Sequence, residues 1–98
     1  MIRLRVFAPL PAMLGLAKAY SGIVLELPVE PDTSLRTLFS QLSTQYSAFG
    51  ALLDPKPGDK LRGIIVTVNG KLVPKSEYHQ TPLRDGAEVS LFPPYGGG

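Results

Sequence analysis

The 98-residue chain is 44% hydrophobic and 18% charged, with a net charge of +2, a balance that describes one folded domain with a core rather than a disordered segment. Its basic residues are scattered, which argues against a nucleic-acid partner, and no apolar stretch is long enough to span a membrane. The lack of cysteine excludes disulfides, thiolate metal sites and a cysteine nucleophile within this chain and is compatible with a reducing, cytoplasmic setting.

At the N-terminus, Arg3 and Arg5 precede a fairly apolar run from Val6 to Ala17 that superficially resembles a signal peptide. Pro9, Pro11 and Gly15 interrupt that run, and strict alternation already begins at Ile2. Ile2, Leu4 and Val6 alternating with Arg3, Arg5 and Phe7 predict a strand buried on one face, ending by Pro9. Pro11 suits the first turn of a short helix containing Met13, Leu14 and Ala17 and limited by Gly15. After a turn at Gly22, Ile23, Leu25 and Leu27 alternate with Val24 and Glu26 in a second strand that stops at Pro28. It is expected to pair antiparallel with the first, through a hairpin or a looser connection.

Asp32, Thr33 and Ser34 can each cap a helix, and Thr33 is the expected cap. Leu35, Leu38, Phe39, Leu42 and Tyr46 recur at spacings of three and four and predict one amphipathic helix ending near Phe49 and Gly50. Asp54, Pro55, Lys56, Pro57, Gly58 and Asp59 then read as a polar loop. A phosphate cradle there would need a strand-to-helix glycine motif, which is missing. Ile64 to Val68 is β-branched and leads into Asn69-Gly70, a two-residue hairpin signal answered by Lys71, Leu72 and Val73. Leu83 is expected to plug the core, and Asp85-Gly86 turns the chain into a last strand with Val89 and Leu91 inward and Glu88, Ser90 and Phe92 outward. One helix with segregated strands and a late hairpin predicts an α+β sheet packed on that helix.

The chain ends in Phe92-Pro93-Pro94-Tyr95-Gly96-Gly97-Gly98. Two prolines end any ladder and favour an extended exit, and three glycines without Cβ atoms suit passage through a narrow channel. The plain alternative is a frayed terminus or a cloning scar.

The order of elements, the Asn69-Gly70 turn, the segment Pro82-Leu83-Arg84-Asp85-Gly86-Ala87-Glu88-Val89 and this ending together resemble the ubiquitin-like β-grasp sulfur carriers of the MoaD/ThiS type. The resemblance is closest to the small subunit of molybdopterin synthase (MoaD) and covers essentially the whole chain. It implies a β-grasp domain over residues 1–94, with a mixed sheet on one main helix, and a flexible glycine tail over 95–98. Gly97 and Gly98 match the family's diglycine; Gly96 stands where many members carry a small residue and Tyr95 where an aliphatic one is common. What the resemblance implies is a carrier whose Gly98 carboxylate is adenylated by an E1-like activating enzyme (MoeB/ThiF type) using ATP and then converted to a thiocarboxylate. It further implies entry of the tail into a molybdopterin synthase large subunit (MoaE type), with no cofactor bound to the carrier itself.

If the first and last strands are parallel neighbours, as that fold implies, Phe7 and Phe92 lie together near the tail. If Val66 and Val68 point inward, Ile65 and Thr67 share their face, and Arg3 and Arg5 border it. With Tyr95, these residues form the expected partner-docking surface; the simpler expectation is that the phenylalanines fold over a core edge or stand alone. His79, the only histidine, lacks companion ligands and reads as exposed rather than metal-binding. Glu26, Glu30 and Asp32 suit strand-exterior and capping roles, and Ser34, Ser40, Ser43 and Ser47 show no His-Asp arrangement. Three functions follow as expectations: a sulfur carrier for molybdenum cofactor synthesis; a related carrier for thiamine or tRNA thiolation or a protein modifier; and a non-conjugating β-grasp binding module.

Overall fold

The computed structural model describes residues 1–16, 21–59 and 61–94. The N-terminal alternation becomes β1 (Ile2–Val6), with Ile2, Leu4 and Val6 buried and Arg3 and Arg5 exposed. α1 (Leu10–Met13) carries Pro11 in its first turn, where a missing amide costs nothing. The chain then turns at Gly15, whose φ of +77° explains why the helix stops so soon. Ala17, expected in this helix, lies outside the described residues. β2 (Ile23–Leu27) runs antiparallel to β1, with Ile2 opposite Leu27 and Val6 opposite Ile23. The intervening α1 makes their connection the looser alternative rather than a tight hairpin.

α2 (Leu35–Gln45) buries Leu35, Leu38, Phe39 and Leu42, as its three-and-four spacing requires. Its cap is Ser34 rather than Thr33: the Ser34 hydroxyl accepts from the Thr37 amide at 3.1 Å. Thr33 is engaged elsewhere, its hydroxyl donating to the Glu30 carbonyl at 2.6 Å and its carbonyl accepting from the Leu83 amide at 2.8 Å. α2 also ends earlier than expected. Tyr46 leaves helical geometry (φ −127°, ψ 89°), and a 3-10 turn over Ser47–Phe49 runs into α3 (Gly50–Leu53). The change of direction drives Phe49 and Leu52 into the core, so residues read as the start of a loop are helical.

β3 (Ile65–Val68) and β4 (Lys71–Leu72) are joined by Asn69 and Gly70, with φ of 51° and 83°, the paired left-handed conformations that a two-residue hairpin demands. Asn69 also ties the hairpin to the next strand: its amide donates to the Glu88 carbonyl at 2.8 Å, and its side-chain Oδ1 accepts from the Glu88 amide at 2.9 Å. A 3-10 turn over Lys75–Gln80, which the sequence reading left as loop, buries Tyr78 edge-on against Phe39 with ring centroids 5.4 Å apart. Burial pushes the Tyr78 phenol up from its ordinary pKa.

β5 (Glu88–Phe92) completes a five-stranded sheet in the order β2-β1-β5-β3-β4. β5 is parallel to β1, and the other neighbours are antiparallel. This is the mixed β-grasp sheet, with α2 across one face. At the end of the sheet remote from Phe92, the Met1 ammonium donates to Asp85 Oδ1 at 2.6 Å, and that hydrogen bond holds the Asp85 carboxyl below its usual range. Ser90 points away from α2 as expected and is nevertheless buried, because Arg5 and Thr67 flank it from the two neighbouring strands. Among the described residues, no helix is long and apolar enough to cross a membrane.

Candidate functional site

Parallel pairing of β1 with β5 makes both strands finish at the same end of the sheet, with Val6 opposite Leu91. The Phe7 amide extends the ladder by donating to the Leu91 carbonyl at 3.0 Å. Phe7 is thereby held beside Phe92, and their rings stack with centroids 4.4 Å apart and planes 21° from parallel. Both side chains are half-buried, so neither folds into the core nor stands alone. The Arg5 guanidinium sits 5.3 Å from the Phe7 ring centroid, a cation over an aromatic face.

β3 adds the other side of this surface. Ile65 lies opposite Phe92 and is 38% exposed, and half-buried Thr67 lies opposite Ser90. Val24, 53% exposed and paired with Arg5, extends the apolar strip onto β2. The sequence reading omitted Val24 from this surface, although its outward position was implicit in the alternation of Ile23, Leu25 and Leu27. The backbone approaches closely at this edge. A Cβ on Gly22 would come within 3.2 Å of the Val6 carbonyl oxygen, so a side chain there would push the start of β2 a few tenths of an ångström away from the end of β1.

Arg3 and Arg5 border the strip but are not isolated cations. Arg3 lies 3.9 Å from Glu26 and 3.8 Å from Glu88, while Arg5 lies 3.5 Å from Glu88. These exposed pairs are screened and individually weak. They fix where the long side chains lie and keep net positive charge on the border small.

Beyond Phe92 the chain is still anchored for two residues. Pro93 is buried, and half-buried Pro94 lies against Gly63. Gly63 has φ +85°, and a Cβ there would stand 3.3 Å from the Pro94 Cβ; nothing in the sequence alone paired these two residues. The expected tail residues Tyr95, Gly96, Gly97 and Gly98 lie outside the described residues. Phe7, Phe92 and Ile65 are therefore brought together at the end of the sheet where β5 finishes, with Arg5 and Thr67 one outward position further in, whereas Arg3, opposite Glu88 at the start of β5, lies towards the other end of the same face.

The remaining candidates are explained locally. His79 is exposed in the 3-10 turn, and among the described residues no group of three or more His, Asp or Glu side chains could hold a metal ion. The Ser43 hydroxyl donates to the Ser40 carbonyl at 2.6 Å, and Asp59 accepts from the Lys56 amide at 3.0 Å. Glu26 pairs with Arg3 on the strand exterior, and Asp32 adopts φ +65° in the turn before α2. The exit end carries an apolar, aromatic strip with charged margins.

Comparison with known proteins agrees with this geometry. The model of the ThiS family matches residues 15–98. No curated protein matches the chain. Among solved structures, SAMP1 of Haloferax volcanii, a small archaeal modifier protein, superposes with a TM-score of 0.62 at 22% identity, covering 99% of this chain and 98% of that one. A Pyrococcus furiosus protein assigned as molybdopterin converting factor, subunit 1, gives 0.58 at 23% identity over 96% of this chain and 99% of its own. CysO of Mycobacterium tuberculosis gives 0.58 at 26% identity, with 92% and 97% covered. The first two, at such low identity, speak to the fold alone.

Proposed function

The chain belongs to the ThiS family of ubiquitin-like sulfur carriers, and from that premise we propose that it carries sulfur as a thiocarboxylate on Gly98, as the small subunit of a molybdopterin synthase. The observation that carries this reading is the stacked Phe7–Phe92 pair, set where β5 hands the chain to its glycine-rich end. A carrier needs a recognition surface next to the group it presents, so that docking and delivery of the terminal carboxylate happen together.

The chemistry follows from the carboxylate itself. A carboxylate is a poor electrophile until one oxygen becomes part of a good leaving group. In an E1-like enzyme of the MoeB/ThiF type, a Gly98 carboxylate oxygen attacks the α-phosphorus of ATP and pyrophosphate leaves, giving an acyl-adenylate. A sulfur nucleophile then attacks the carbonyl carbon and AMP leaves with the bonding electron pair. Hydrosulfide as that nucleophile gives the thiocarboxylate on loss of its proton; a donor-bound persulfide gives an acyl disulfide, which a thiolate cleaves by attacking the donor's sulfur, so that a new disulfide forms and the thiocarboxylate leaves with the S–S bonding pair. Gly96 and Gly97 allow close approach of the enzyme backbone. The carrier acts as a substrate in these steps and as the sulfur-donating subunit in a MoaE-type complex; it is not catalytic alone.

A second reading, a related carrier or protein modifier, is favoured by the likeness to the archaeal modifier SAMP1 and differs only in the acceptor. Incubation with ATP, the cell's E1-like enzyme and a sulfur source tests the shared step by intact mass and C-terminal mapping. The expected product has one carboxyl oxygen replaced by sulfur at Gly98, and a chain lacking Gly98 gives none. No adenylate and no thiocarboxylate, with an enzyme shown to activate its own known carrier, would leave the non-conjugating binding module as the better reading. Transfer to a pterin precursor with a MoaE-type subunit, against isopeptide-linked lysines, separates the first two.

A further inference from the structure

The sheet has two edges, and they are finished differently. β4 is two residues long, carries Lys71 and is followed by Pro74, features that discourage the addition of a further strand. β2, at the opposite edge, is five residues long, holds no proline or lysine within Ile23–Leu27, and pairs on one side with β1. Its one charged side chain, Glu26, lies 3.9 Å from Arg3 on the outer face.

The hydrogen bonds of β1 show which main-chain groups of β2 are unused. The Arg3 amide donates to the Ala87 carbonyl and the Phe7 amide to the Leu91 carbonyl, so the odd-numbered residues of β1 direct their main chain to β5. Successive residues of a strand direct these groups to opposite sides, so Ile2, Leu4 and Val6 serve β2 through Leu27, Leu25 and Ile23. The N–H and C=O groups of Val24 and Glu26 therefore point away from the sheet, and no main-chain partner meets them among the described residues. The inner face of this strand is also incomplete. Ile23, Leu25 and Leu27 are half-buried, whereas Leu4, Val89 and Leu91 in the middle of the sheet are fully buried.

We propose that this edge pairs with the β2 edge of a second copy of the chain, antiparallel about a two-fold axis through Leu25. The occupant follows from the strand's self-complementarity. In this register Val24 and Glu26 of the second copy exchange main-chain hydrogen bonds with Glu26 and Val24, the groups that β1 leaves unused. Leu25 faces its own counterpart and Ile23 faces Leu27 of the second copy, so each half-buried inward side chain meets an apolar one. A slip of two residues one way sets Glu26 against Glu26 and brings in Pro28, which has no amide to give; the other way leaves Leu27 opposite Ser21. The pairing is isologous and closes on itself, so it stops at a dimer. Both copies keep α2 on the same side of one continuous sheet, and the antiparallel arrangement sends their Phe7–Phe92 strips and tails to opposite ends.

The test is sedimentation velocity on the intact chain from about 10 μM to about 1 mM, with a monomer–dimer Kd expected on the order of 100 μM because one short strand buries less than a standard interface. Glu26→Pro removes an edge amide that β1 does not use and should weaken association at least tenfold with the fold retained by circular dichroism; Glu26→Gln keeps the amide and should still associate. Oxidative cross-linking reads the register directly, since the chain has no cysteine of its own. Leu25→Cys should give a disulfide-linked dimer, because residues facing each other at such a position lie about 4.5 Å apart, within reach of a disulfide. Leu27→Cys alone should not, whereas mixing it with Ile23→Cys should give the mixed dimer. A monomer at every concentration, a dimer in which Leu25→Cys fails to cross-link, or equal cross-linking of Leu25→Cys and Leu27→Cys would each overturn the proposal. None of these readouts involves an activating enzyme, so the pairing is tested independently of the carrier reading.

Discussion

The two faces of the sheet are built from the same strands, one residue apart, and they use their apolar side chains for different ends. On the face towards α2, Leu4, Val66, Val89 and Leu91 are almost wholly buried, and each contributes to stability through area removed from water and through close packing. On the other face, Phe7, Phe92, Val24 and Ile65 keep part of their surface in solvent. Folding alone does not require that exposure. A contiguous apolar strip at the point of departure of the tail is better explained by a partner that completes its burial. The inner face holds the fold, and on the proposed reading the outer face keeps apolar surface for a partner.

The sharpest way to break this division is to cut one aromatic on each side of the sheet, one from the core beneath α2 and one from the strip. Phe39 is fully buried between Phe49 and Tyr78, so Phe39→Ala should cost about 4 kcal/mol in urea unfolding. Phe92→Asp should cost about 1 kcal/mol, mainly the lost stacking on Phe7, while impairing activation by the E1-like enzyme much more severely. Equal losses of stability and partner binding in Phe92→Asp would reject the separation of roles.

Gly63 and Gly58 sharpen the comparison at the exit, because both have φ +85° but only Gly63 meets Pro94. Alanine at either position should lose about 1 kcal/mol from backbone strain. Only Gly63→Ala should also change activation, since its Cβ pushes on Pro94 and redirects the tail. If Gly58→Ala changes activation as much, the Gly63–Pro94 contact has no guiding role. At the far end of the molecule, Ser34→Ala should cost about 1 kcal/mol through loss of the α2 cap.

Much of this arrangement was legible before any coordinates. Two-residue alternation assigned inward and outward residues in β1, β2 and β5, and Asn69-Gly70 marked its hairpin, because those signals are local; the uniformly β-branched β3 has no such alternation, and its outward residues followed only from the condition that Val66 and Val68 point inward, which their burial meets. The cap was ambiguous because Asp32, Thr33 and Ser34 can all cap; the Thr33–Leu83 bond, which spans fifty positions, decides between them. α3 and the turn holding Tyr78 were missed for another reason. Elements of four and six residues are too short to show a period, and what stabilises them is the distant core that Leu52 and Tyr78 join. For the candidate site, outward positions could be read from alternation, but the meeting of Phe7 with Phe92 required parallel pairing of strands from opposite ends of the chain. The Gly63–Pro94 contact had no local signal at all.

The smallest expected effect concerns Tyr78, whose burial gives the inner face a pH dependence. Burial raises its pKa because the phenolate is poorly solvated against the core. The unfolded chain therefore releases this proton first as pH rises past the ordinary tyrosine value of about 10. Above that value the unfolded state binds fewer protons than the folded one, so stability falls with pH; the contribution is fully present below it and is lost as pH rises through the folded-state pKa. Tyr78→Phe keeps the ring against Phe39 but removes the ionisable group. Urea midpoints compared at neutral and strongly alkaline pH should fall less for Tyr78→Phe than for the parent chain, with nearly equal stability at neutral pH. If Tyr78→Phe loses stability in parallel with the parent, the alkaline sensitivity arises elsewhere, and Tyr78 contributes to the inner face by packing alone.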